Sequence, residues 1–224
     1  ESTRPGATPV TADEEWRRLL PVIEAVGTEG NDTFIRPKLS VDTRHPNTAR
    51  RALAAGAEVI NDVSGLQDPE MLAVLADSDC DVVLMHSLTV PADPNTVMAS
   101  TDPVADIIEW FHDRIARLAQ AGIERARLLV DPGIGFGKTA AQALTLIQRA
   151  SAFRDLGCRI LFGHSRKSYL QARTAVRARD RDIETLAVST YLAEAGVDVL
   201  RVHAATEHRR YWRVHARLRR PGSG

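Results

Sequence analysis

Three short segments of this 224-residue sequence gather residue types that do chemistry. In Asp131-Pro-Gly-Ile-Gly-Phe-Gly-Lys138 a carboxylate ends an apolar run, and three glycines then let the backbone and Phe136 approach a ligand closely. The segment is not a nucleotide-cradling loop. Walker A needs GxxxxGK[ST], and Gly133 to Thr139 reads GxxxGKT, one residue short. Gly163-His-Ser-Arg-Lys-Ser168 sets two cations and two hydroxyls behind a second apolar run. Arg201-Val-His203 ends a third, and strand alternation sends Arg201 and His203 to the same side. With Lys167 they make a candidate anion site, in which Arg201 offers a bidentate fork. Asp42 in SVDT and Asn61 in VIND supply an acceptor and an amide, and Met85-His86 an apolar wall with a polar tip. His45, His112, His208 and His215 read as surface or packing residues. The sequence has no HExxH, no GxSxG and no clustered His/Cys set, so neither a protein-bound catalytic metal nor a serine nucleophile is indicated.

These groups need elements to hold them. Apolar periodicity, caps and breakers predict helices over 13–26, 46–55, 69–76, 103–121, 140–156, 183–195 and 205–218. Short β-rich runs predict strands over 38–43, 57–62, 81–86, 127–131, 159–163 and 197–203. Asp68 with Pro69 marks a helix start, and Gly56 and Gly122 mark helix ends. Strands alternating with helices mean a parallel sheet with helical crossovers, and runs such as VVLM fit strands buried on both faces.

A doubly wound sheet and a closed barrel both fit this alternation. The strand ends favour the barrel. In order they finish with Asp42, Asn61-Asp62, His86, Asp131, Ser165-Arg166-Lys167 and Arg201-His203. A doubly wound sheet gathers its ligand residues near one switch point, whereas a barrel builds its site from all its strand ends. The expected fold is therefore α/β, a (β/α)8 TIM barrel. Such a barrel has eight strands and about 250 residues, so two strands are expected to lie before the polar opening ESTRPGA. One barrel domain is expected over 1–218, carrying strands three to eight, with 219–224 as a disordered tail.

Composition narrows the function classes. Twenty-nine basic and 29 acidic residues cancel, leaving no global field to attract nucleic acid or an anionic membrane. Cys80 and Cys158 lie far apart without metal-ligand spacing and read as small buried apolar residues. No apolar run approaches the ~20 residues of a membrane span and no signal peptide is visible, so a cytoplasmic enzyme acting on small molecules is expected.

The segments ESTRPGA, SVDT, INDVSGL, DPEM, VVLMH, DPGIGFGK, GHSRKS and RVH, in this order, resemble the dihydropteroate synthase family of folate biosynthesis, the target of sulfonamides. The resemblance covers nearly the whole chain. It implies a homodimeric (β/α)8 barrel that joins p-aminobenzoate to 6-hydroxymethyl-7,8-dihydropterin diphosphate, giving 7,8-dihydropteroate and releasing diphosphate with Mg2+. It implies a pterin pocket from Asp42, Asn61, Met85, Asp131, Gly163 and Lys167. Arg4, Pro5, Phe136 and Ser168 would serve p-aminobenzoate, with Arg4 covering the site in the reactive state. Arg201 and His203 would hold the diphosphate. Lys167, Arg201 and Asp131 would carry the catalysis, a dissociative one in which diphosphate leaves before the arylamine attacks.

Two departures stand out. Family members carry a first strand with an Asn that helps hold Mg2+, a TPDSF-type loop and a second strand before ESTRPG, so the Mg2+ ligand is expected outside this sequence. The 224-residue chain alone is accordingly expected to be inactive and poorly stable. Ala204 also follows RVH where Asp or Asn is commoner. Two other readings remain open. One is a pterin-binding domain presenting methyltetrahydrofolate to a corrinoid, and the other a non-catalytic pterin-binding homologue.

Overall fold

A computed structural model describes residues 2–3, 6–28, 37–93, 95–174 and 177–219. Its regular elements are α1 (Ala12–Thr28), β1 (Ser40–Asp42), α2 (Pro46–Ala54), β2 (Val59–Asp62), α3 (Pro69–Ala76), β3 (Asp81–Met85), α4 (Pro103–Gln120) and β4 (Leu128–Asp131). They continue with α5 (Ala140–Gln148), β5 (Arg159–Phe162), α6 (Ser168–Thr174), α7 (Asp182–Glu194), β6 (Val199–Leu200) and α8 (Ala205–Arg219). The strands form one parallel sheet in the order β1-β2-β3-β4-β5-β6. This order settles the choice left open by alternation. A doubly wound sheet reverses direction at its switch point, and this one never does. The sheet is the barrel type, wound one way, with β1 and β6 at its edges.

Both faces of β2 to β5 are largely buried, whereas the edge strand β1 buries only Val41 and β6 is half-buried. Ile60, Val82, Leu84, Leu128, Val130, Ile160 and Phe162 point outward into the main core, where they meet helix residues such as Leu75, Ile107, Phe111 and Leu146. Val83, Leu129 and Leu161, with Val59 and Val199 against them, form a separate inward layer. The two clusters alternate along each strand, as the period of two requires. Burial on both faces is why these strands read as continuous apolar runs.

Helix starts follow the sequence signals. Asp68 Oδ1 accepts the Glu70 N–H at 2.8 Å, and Asp102 accepts from Val104 and Ala105. Thr139 and Gln142 make a reciprocal capping box at α5. Four features differ from the sequence reading. The helix expected over 140–156 is α5 followed by a 3-10 stretch, Ala150–Leu156. Ala150, Phe153 and Leu156 are all fully buried at a spacing of three, which suits three residues per turn and seats Phe153 against Phe162, ring centroids 6.2 Å apart. The strand expected over 197–203 shortens to β6, because an edge strand has only β5 to pair with. Helix α6 had no assignment in the sequence reading; Tyr169 and Leu170 bury its inner side. Arg219, expected in a tail, ends α8, and the remainder of that tail lies outside the described residues.

Candidate active site

Strand parity decides which side chains meet above the inward apolar layer. Two positions beyond Val59, Val83, Leu129, Leu161 and Val199 stand Asn61, Met85, Asp131, Gly163 and Arg201. A step of two keeps the same face, so each of these five stands on the inward face one step nearer the C-terminal mouth of its own strand. Asp42 pairs with Asn61 in the β1–β2 register, and Met85 with Asp131 in the β3–β4 register. The six residues singled out in the sequence thus share the inward face at the mouth, staggered in height by the register, with Asn61 level with Val83 and Asp131 level with Met85.

Hydrogen bonds link this inward rank, the floor of the site. Asn61 Nδ2 donates to Asp42 Oδ2 at 3.2 Å, and Arg201 Nη1 donates to the same oxygen at 3.1 Å. The ion pair links the mouth ends of β1 and β6, the two edges of the sheet. The reading from resemblance gives Asp42 and Arg201 to different ligands, and the structure brings them into contact. Asn61, 6% exposed, keeps its Oδ1 buried with no partner. A buried amide oxygen in that state gains from a donor brought by a ligand. Asp131 is 2% exposed, and its Oδ1 accepts the Gly133 N–H at 2.8 Å. Burial pushes the Asp131 carboxyl above its usual range, against the pull of that N–H and of Arg201, Lys167 and Lys138.

Gly163 sits where a side chain would close the floor. A Cβ there would stand 3.3 Å from Arg201 Nε and 3.4 Å from Asp131 Oδ2. Lys167 reaches over the floor with Nζ 4.8 Å from the centre of the Phe136 ring, a cation–π contact. Burial and the nearby Arg201 hold its amine below the usual lysine range, with Asp131 opposing. Phe136 packs with Met85 and Val63 as an apolar wall. Ser168, at the start of α6, is exposed one residue past Lys167. Asp42, Gly163, Ser165, Lys167, Arg201 and His203 line a common cleft of ≈ 410 Å³, which Thr3 also touches. Arg4 and Pro5 lie outside the described residues.

The loop after β4 is fixed by a pair that the site reading leaves out. Lys138 Nζ lies 2.7 Å from His86 Nδ1 and donates to His86 O at 2.9 Å. Gly133, at φ +71, passes so close that a Cβ would fall 1.9 Å from His86 O. Burial, reinforced by Lys138, pushes the His86 imidazole down to about 3, so it stays neutral. Burial and Lys167 bring the Lys138 amine down to about 7, against Asp131. Asp62, beside Asn61 but of outward parity, spends Oδ1 on the Ser64 N–H at 2.7 Å and leaves Oδ2 buried without a partner.

A floor of amide, carboxylate and thioether, walled by an aromatic ring and topped by cations, suits a planar heterocycle carrying an anionic group. Comparison with known proteins agrees. A family model described as pterin binding enzyme matches residues 1–203. The chain belongs to the pterin binding enzyme family.

Among members of this family, the dihydropteroate synthase of Escherichia coli is 35% identical over 207 residues, covering 92% of this chain and 72% of that protein. A probable bifunctional folylpolyglutamate synthase/dihydropteroate synthase of Haloferax volcanii is 41% identical over 208 residues, covering 93% of this chain. The chain spans only about a quarter of the length of that relative and of its counterpart in Halobacterium salinarum, 24% and 25%. Among solved structures, the Anaplasma phagocytophilum dihydropteroate synthase with bound 6-hydroxymethylpterin-monophosphate superposes with a TM-score of 0.89 at 35% identity, covering 97% of this chain and 85% of that one. The Thermus thermophilus enzyme in complex with 4-aminobenzoate gives 0.85 at 38% identity, covering 97% and 81%.

Proposed function

We propose that this pterin binding enzyme is a dihydropteroate synthase, a transferase of folate biosynthesis. It would join p-aminobenzoate to 6-hydroxymethyl-7,8-dihydropterin diphosphate, giving 7,8-dihydropteroate and diphosphate. The observation that carries this reading is the inward rank of Asp42, Asn61, Met85, Asp131 and Gly163 with Lys167 above it and Arg201 at its edge. Relatives bearing that name share 35% identity with nearly the whole chain.

The geometry supports the roles of the described residues, and Arg4 and Pro5 are assigned from the family resemblance alone. The Asp131 carboxylate can accept paired hydrogen bonds from an aminopyrimidinone edge, while Asn61 Oδ1 accepts a further donor. Gly163 leaves room for the ring, Met85 packs against it, and Lys167 can donate to its carbonyl and N5. Arg201 and His203, both lining the cleft, take the diphosphate end. Phe136, Ser168, Arg4 and Pro5 are assigned to p-aminobenzoate, the position a sulfonamide would contest. In the reaction the bond from the exocyclic carbon to the diphosphate oxygen breaks and the arylamine nitrogen bonds that carbon, losing a proton. Cations preset at the leaving oxygens favour the charge that develops there.

Mg2+ belongs to the reading as a companion of the diphosphate. Among the described residues no three His, Cys, Asp or Glu side chains converge to hold a metal ion, and Asp42 is engaged by Arg201 and Asn61. The described residues therefore do not fit a protein-built Mg2+ cage. Mg2+ commonly binds through substrate phosphates and one or two carboxylates, and no step here is routed through it.

A homodimer is also proposed, through α7 and α8. Ile183 of α7 and Val214 and Leu218 of α8 are 83%, 61% and 80% exposed, an apolar display that a partner would cover. A cytoplasmic location completes the reading; no described helix is long and apolar enough to cross a membrane.

Calorimetry with the pterin diphosphate, then p-aminobenzoate, tests the function. A synthase takes the second ligand only after the first. Preference for methyltetrahydrofolate would favour a corrinoid-linked methyltransferase domain, and pterin binding without turnover a binding module.

A further inference from the structure

Ser165 has no substrate in the reading above, yet it is 4% exposed at the anion end of the cleft. Its Oγ lies 2.8 Å from His203 Nδ1 and accepts the His203 backbone N–H at 3.3 Å. A hydroxyl has one proton, which decides the direction of the first bond. If Nδ1–H donated, Oγ would receive two donors and its own proton would have no acceptor among the described residues. If the hydroxyl donates to Nδ1, both Ser165–His203 contacts are used with one proton each, and only Nε2–H is left for the cleft. His203 then carries its proton on Nε2, on the side of the ring away from Ser165.

We propose that Ser165 is a positioning residue of the anion site, locking His203 so that Nε2–H stands as a preset donor beside Arg201. A diphosphate then meets a donor already aimed, in place of an imidazole free to turn a lone pair toward it.

The turn that carries Ser165 is itself held. Arg166 adopts φ +58, a left-handed conformation that disfavours a non-glycine residue. Helix α7 secures it. Asp182 accepts two 2.7 Å bonds from the Arg166 guanidinium, and Thr185 Oγ1 accepts the Arg166 N–H at 3.1 Å. Buried Arg181 donates to both Arg166 O and Lys167 O at 3.1 Å. The charged groups facing His203 are Arg166 and Lys167 from the turn, Arg201 from the end of β6 and Asp182 from α7. Desolvation and the three cations outweigh Asp182 and hold the imidazole below its usual range. It is therefore neutral near pH 7, the state in which the choice of tautomer matters.

This inference rests on the assignment of Arg201 and His203 to the diphosphate, and two readouts separate the two claims. Nitrogen-15 NMR of the histidine-labelled protein reads the lock without ligand. Calorimetry with inorganic pyrophosphate reads the anion site. Wild type is expected to show His203 as the Nε2–H tautomer and to bind pyrophosphate. Ser165→Ala should give mixed tautomers and move the His203 titration upward, since the donor that favoured the neutral ring is gone. Its pyrophosphate affinity should fall about 2- to 10-fold, the reach of one net hydrogen bond. Ser165→Thr keeps the hydroxyl and should restore both, which a loss of fold would not allow. An unchanged His203 tautomer and titration in Ser165→Ala overturns the lock. A lock seen by NMR in a wild-type protein that ignores pyrophosphate overturns the anion-site assignment, and with it the purpose given to Ser165.

Discussion

Asp131 shows how one side chain is set for its task. Its burial disfavours the carboxylate, and Arg201, Lys167, Lys138 and the Gly133 N–H restore it. Asp131→Asn keeps the shape and loses the charge, exchanging one acceptor for a donor aimed at the pterin edge. Hydrogen bonds to charged groups contribute about 1.5–3 kcal/mol, so pterin affinity should fall roughly 10- to 100-fold by calorimetry. Phe136→Ala removes the ring under Lys167 and should raise the KM for p-aminobenzoate about 2- to 10-fold, with pterin affinity little changed. At this scale the sequence was informative wherever a residue ends a strand. Asp42, Asn61, Asp131 and Arg201 were readable as strand ends, whereas Gly163 and the pterin role of Met85 came from the family resemblance. The roles of Lys138 and Ser165 were not legible. Their partners, His86 and His203, lie 52 and 38 residues away, on strands whose adjacency only the folded sheet supplies.

The elements act by carrying loops at fixed separations. Gly133→Ala would drive a Cβ into His86 O at a backbone angle that favours glycine. A cost of at least about 2–3 kcal/mol is expected, seen as a melting temperature lower by roughly 5–10 °C. Arg181→Met would leave the Arg166 and Lys167 carbonyls without their buried donor. Amide exchange should then quicken across Lys167 and Ser168 while the strands stay protected. Strand and helix placement was readable because caps such as Asp68 and two-faced apolar runs such as VVLM leave local marks. The switch from α5 to a 3-10 stretch was not, since 3- and 3.6-residue spacings both accommodate Ala150, Phe153 and Leu156 until Phe162 selects one.

At the scale of the molecule, the fold gathers six strand ends into one ring of chemistry, and the Asp42–Arg201 pair joins its first and last members. The fold also shapes the response to acid. Unfolded His86 titrates near 6.5 and folded His86 near 3, so the unfolded chain binds the extra proton between those values. Its contribution to stability is complete above 6.5 and is lost as pH falls below it, by about 1.4 kcal/mol per unit. The raised carboxyls of Asp131 and Asp62 act in the opposite sense, so comparison with a variant isolates the effect. His86→Gln, starting less stable at pH 7, should lose less stability than wild type between pH 6.5 and 4, as read by denaturant melts. The central claim is that the inward rank binds a pterin while Arg201 and His203 at its rim bind the diphosphate. Calorimetry of 6-hydroxymethylpterin and of inorganic pyrophosphate, each against wild type, Asp131→Asn and His203→Ala, tests it most directly. Asp131→Asn should weaken the pterin at least 10-fold and spare pyrophosphate, and His203→Ala should do the reverse, each effect of the order of one or two charged hydrogen bonds. Pterin binding indifferent to Asp131→Asn, or both ligands weakened alike by both variants, would contradict the account.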